Sequence, residues 1–72
     1  MSESEIRADL FAALRELSEL VPEMRGGQLV AAVGELCVDL HGRGLREASD
    51  AELREAVWQF RRNFEAATTR AQ

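Results

Sequence analysis

Few side chains in this sequence could do chemistry. There is one cysteine and one histidine, and they stand four residues apart as Cys37 and His41, a spacing that puts them on one face of a helix. A thiol beside an imidazole is the beginning of a nucleophilic pair. The surroundings argue against it. Cys37 lies in the run Leu36-Cys-Val-Asp-Leu, where burial raises a thiol's pKa, and no spacing supplies an oxyanion stabiliser. A structural zinc would need three or four convergent ligands, and beyond these two residues the chain has no soft ones. No metal or cofactor is expected.

The second candidate is Arg25-Gly26-Gly27-Gln28, a glycine corner opening onto a helix. Backbone N–H groups at a helix start, with Arg25 beside them, could hold a phosphate or carboxylate. The longer glycine loop ending in Lys-Ser or Lys-Thr is missing, so Arg25, Gly26 and Gly27 are read first as a tight turn. A third stretch, His41-Gly-Arg-Gly-Leu-Arg46, is basic and glycine-spaced. Its ordinary role is a helix C-cap, with positive charge where the macrodipole favours it. The paired carboxylates Glu16/Glu19, Asp50/Glu52 and Glu52/Glu55 interrupt no apolar stripe and read as solvated helix faces. No nucleophile, base and stabiliser converge, so an enzyme is not expected.

Three helices must position these residues. Ser2 and Glu5 form a capping box, with Met1 and Ile6 at staple positions. The following helix, expected over about residues 3–21, carries Ile6, Leu10, Ala13, Leu14, Leu17, Leu20 and Val21 on a stripe roughly 120° wide. Pro22 ends it. The second helix, expected over about 28–41, is apolar nearly all round. Its polar side chains Gln28, Glu35 and Asp39 fall within roughly 40° of one another at about 100° per residue. Gly27, Ala31 and Gly34 lie about a turn apart; either they let another helix approach that side, or Gly34 is simply tolerated. Gly42 is an αL terminator. In the loop that follows, Leu45 is expected to tuck under the core. Ser49 and Glu52 make a second capping box, and the third helix, expected over about 50–67, puts Leu53, Ala56, Val57, Phe60, Phe64 and Ala67 on one face. Arg61, Arg62 and Arg70 close it, and fraying is expected from Thr68 to Gln72.

The 72 residues carry a net charge of −4, from nine arginines and thirteen acids. Residues 1–24 hold six acids and two arginines, the rest seven of each. An acidic first segment opposes nonspecific nucleic-acid binding. Helix-turn-helix recognition is also disfavoured, because the connection before the third helix is long and that helix begins with acids. Arg54, Arg61 and Arg62 would have to carry any such contact. The sequence predicts no membrane span and no secretory leader, hence a cytoplasmic chain with a reduced thiol.

These features predict one all-α domain over residues 1–72, a three-helix antiparallel bundle, or a helical hairpin plus a helix. Two ordinary stripes cannot cover a second helix so apolar. Phe11 and Trp58 also point well away from their own stripes. A chain this short is marginal alone, and with disulfide and metal excluded, association remains. A homodimer is therefore expected, with Phe11, Val30, Gly34, Cys37, Val38 and Trp58 in its interface. A different protein partner is expected on Asp9, Glu16, Glu19, Glu23, Trp58 and Arg62. The function expected is a non-catalytic adaptor. The alternatives are an antitoxin-like regulator that binds nucleic acid, and an anion binder at Arg25, Gly26 and Gly27.

The run Leu17-Ser-Glu-Leu-Val-Pro-Glu-Met-Arg-Gly-Gly-Gln-Leu-Val-Ala31, continued by Ser49-Asp-Ala-Glu-Leu53, resembles short bacterial proteins of a small uncharacterised helical group. The resemblance spans about residues 10 to 64. It implies a stand-alone bacterial protein that could be encoded beside a partner, and brings no activity or site residues with it.

Overall fold

The computed structural model describes residues 2–71, and side chains as far as Thr68. It contains three helices, α1 (Glu3–Leu20), α2 (Gly26–His41) and α3 (Asp50–Ala71), and no strand among the described residues. The expected staple at Met1, the side-chain charge of Arg70 and the end of the chain at Gln72 lie outside what is described.

Local signals set the boundaries. Ser2 Oγ accepts the Glu5 N–H at 3.3 Å, which starts α1. Val21 donates its N–H to the Leu17 carbonyl at 3.1 Å, and Pro22 then stops the helix. Gly42 takes φ 73°, the left-handed conformation that costs a side chain most, and its N–H reaches the Val38 carbonyl at 2.8 Å. The second capping box is reciprocal: Glu52 N–H donates to Ser49 Oγ at 3.1 Å, and Ser49 N–H donates to Glu52 Oε1 at 2.9 Å.

Two boundaries differ from the sequence reading. α2 starts at Gly26 rather than Gln28, because the two glycines take up helical backbone and Gln28 closes the turn by accepting the Arg25 N–H at 2.9 Å. α3 keeps its helical backbone as far as Ala71 instead of fraying from Thr68.

The chain is organised around α3, not around its most apolar helix. α3 packs along both α1 and α2, whereas α1 and α2 scarcely meet. Ion pairs give the register. Arg7, Asp9 and Glu16 of α1 meet Asp50, Arg54 and Arg61 of α3 in ascending order, so these helices run the same way. His41, at the end of α2, faces Glu52 and Glu55 near the start of α3, so α2 runs oppositely. The core contains Leu10, Leu17 and Val21 from the first segment, Leu29, Val33 and Cys37 from α2, and Ala56 and Val57 from α3. Half-buried Leu14, Leu53, Phe60 and Phe64 pack against it.

Candidate functional site

Cys37 and His41 lie one turn apart on α2 but in different surroundings. Cys37 is fully buried, and the loss of solvent, followed by the nearby charge of Glu52, pushes its thiol pKa up. The thiol therefore packs as a small hydrophobe. No hydrogen bond joins it to His41 among the described residues. The imidazole faces carboxylates instead, with Nδ1 4.0 Å from Glu52 and Nε2 3.7 Å from Glu55. Glu52 is itself held by Arg43, whose Nε donates to Oε1 at 3.1 Å and whose second nitrogen bonds Oε2. The Arg43 guanidinium, helped by the Ser49 N–H, lowers the Glu52 pKa to about 2. The same carboxylate raises the pKa of Arg43. This cluster fastens the 42–49 loop to the start of α3. Among the described residues no group of three or more His, Cys, Asp or Glu could hold a metal.

The Arg25 corner is not the tight turn of the sequence reading. Gly26 and Gly27 have no positive φ, and a Cβ on either would meet nothing within 4 Å. They form an ordinary exposed first turn of α2, with no pocket over them among the described residues.

The expected acidic partner surface is divided. Asp9 receives a hydrogen bond from Arg54 at 3.0 Å, and Glu16 receives one from Arg61 at 3.1 Å, so α3 compensates both charges. They tie α1 to α3 and do not form a free acidic face. Glu19 and Glu23 remain exposed, as does Arg62, which donates to Gln59 at 2.7 Å. Trp58 is 42% exposed, and Arg54 stacks on its ring 4.7 Å from the centroid.

The expected dimer residues also divide. Gly34 and Cys37 are buried within this chain. Cys37 belongs to the core, and Gly34 is covered by Leu45, whose Cγ lies 2.7 Å from where a Cβ would stand. The close approach that Gly34 permits is by a loop leucine, not a helix. Leu45 therefore sits over α2, half covered, and not beneath the core. Phe11 is 61% exposed and Val38 48%, and Val30 is comparable. Phe11, Val30 and Leu45 border one apolar groove of about 110 Å³ floored by Leu10, Leu14, Val33 and Leu53. Val38 continues this face, because the Gly44 segment of the loop passes beside it. The groove exists because α1 and α2 each pack on α3 and leave their own seam open.

A second groove, of about 560 Å³, lies between α2 and α3 and is bordered by Glu23, Glu35 and Asp39. The sequence reading placed Glu35 and Asp39 on a polar stripe without identifying the groove; the signal was Ala32 and Leu36 beside them at helical spacing. No helix among the described residues is long and apolar enough to cross a membrane. Comparison with family models, curated protein sequences and solved structures found no match to the chain.

Proposed function

We infer that the protein is a non-catalytic cytoplasmic interaction module that works as a homodimer, a second copy covering the face of Phe11, Val30, Val38 and Leu45. The observation that carries this reading is the open apolar seam between α1 and α2. Exposed apolar side chains that cluster, and do not stand singly, mark interaction sites. Side chains from three helices and a loop meet here without a polar group between them. A stable interface needs about 800 Å² on each partner, for which this patch is the centre and the polar residues around it the rim. Small Ala31, exposed about 20° beyond Val38 on the wheel, lets the backbones of two α2 helices come close. Two of the three arginines a nucleic-acid reading would use are ion-paired within the chain, Arg54 with Asp9 and Arg61 with Glu16 and Glu65, while Arg62 is exposed and donates to Gln59, which favours a protein partner.

Light scattering over a wide concentration range, with the thiol reduced, tests this. The molar mass should be twice the 8.0 kDa of the chain. Phe11→Glu should return it to the monomer with helix content unchanged, since Phe11 supports no core contact that its 61% exposure would not spare. That exposed fraction of an aromatic is on the order of 100 Å², or roughly 3 kcal/mol per copy. Even after the costs of association, the dimer dissociation constant should rise at least about a hundredfold. A wild-type chain that stays monomeric at millimolar concentration would refute the reading.

A further inference from the structure

We propose that the groove between α2 and α3 is a docking site for a basic amphipathic helix of another protein. Its floor is apolar, made by half-buried Leu36, Phe60 and Phe64, and its border carries the carboxylates of Glu23, Glu35 and Asp39. No arginine lines it. Glu23, Glu35 and Asp39 have no ion pair among the described residues; neither do Glu3, Glu5, Glu19 and Glu47, but Glu23, Glu35 and Asp39 share one groove. Uncompensated negative charge around an apolar floor is complementary to an apolar stripe flanked by Lys or Arg.

The shape indicates a helix as the occupant. Ala32, Glu35, Leu36 and Asp39 stand at i, i+3, i+4 and i+7 along one flank of α2, a length of about two helical turns. A helix laid along the seam would place its own i, i+3, i+4 and i+7 anchors against Leu36, Phe60 and Phe64. Met24 at one end adapts to anchors of different shape. On the α2 wheel this flank is about 150° from the middle of the Val30–Val38 face, so docking here leaves the homodimer surface free. The proposal does not depend on the dimer.

The probe is a labelled 15-residue helical peptide with leucines at those four positions and lysines flanking them. Its controls carry glutamate for lysine, or serine for leucine. Fluorescence anisotropy with the full chain should give binding at least about tenfold tighter for the lysine peptide than for either control, weakening with salt. Glu35→Arg with Asp39→Arg should remove that preference, Ala32→Trp should block the groove by volume alone, and Phe11→Glu should leave binding intact. Circular dichroism establishes that each variant is folded. Equal binding of the controls, binding unchanged in Ala32→Trp, or no binding of the lysine peptide at millimolar concentration would overturn the proposal. So would a charge-reversed double variant that loses self-association, because the groove would then belong to a second copy.

Discussion

Replacing Gly34 by alanine sets two effects of similar size against each other. In the middle of a helix alanine is favoured over glycine by about 1 kcal/mol, because glycine loses more backbone freedom on folding. At this position the added methyl would stand 2.7 Å from Leu45 Cγ, and at 3.2 and 3.3 Å from the two Cδ atoms. Carbon atoms in good contact keep about 3.5 to 4.0 Å, so Leu45 must leave its seat. Leu45 is 42% exposed, so a little over half of its surface is at stake. With roughly 1.5 to 3 kcal/mol for complete burial of a leucine, displacement costs about 1 to 2 kcal/mol. Gly34→Ala should therefore be neutral or destabilising by up to about 1 kcal/mol, despite the better helix former. In a Leu45→Ala background the obstruction is gone, and the same substitution should stabilise by about 1 kcal/mol. The coupling energy of the double-mutant cycle is then about 1 to 2 kcal/mol. Urea unfolding followed by circular dichroism measures it, with all four chains at one low concentration so that association does not enter. Additivity within about 0.5 kcal/mol, or a full stabilising effect in the wild-type background, would refute the assignment of Leu45 to Gly34.

The Arg43–Glu52–Ser49 cluster makes stability depend on pH in the acid range. The Glu52 carboxyl falls from its usual value of 4.5 to about 2 on folding, so its contribution is complete above pH 4.5 and is lost as pH falls from 4.5 towards 2. Glu52→Gln should lower stability at neutral pH and flatten the acid limb of the stability profile over that window. An unchanged acid limb would mean that the pair does not persist in solution. Cys37, buried and with a raised pKa, should react with a disulfide reagent only as fast as the chain opens, and the rate should rise with urea. Immediate labelling of the native protein at pH 7 would place the thiol outside the core.

The sequence by itself determined where α1 and α2 stop, where α3 starts, and the apolar stripes of α1 and α3. Gly42 at positive φ, the reciprocal bonds of Ser49 and Glu52, and Pro22 after Val21 act through neighbours a few residues away, so chain order is enough to read them. The stripes carrying Leu10, Leu17 and Val57 were legible for the same reason, since helical periodicity is local. The position of Cys37 was legible only in part: its burial followed from the helix, but not which surface buries it. The tertiary structure alone decided what meets what. Asp9 and Glu16 read as solvated acids until α3, 45 residues on, brings Arg54 and Arg61 against them. Gly34 read either as a place for another helix or as a tolerated glycine until the loop set Leu45 over it. The most apolar helix is not the central one, because α3 has the length and register to pack on both others while α1 and α2 scarcely meet. Periodicity reports how much of a helix is apolar; only the arrangement of three axes in space decides which part of that surface is covered, and here it leaves one apolar seam and one acid-bordered groove open.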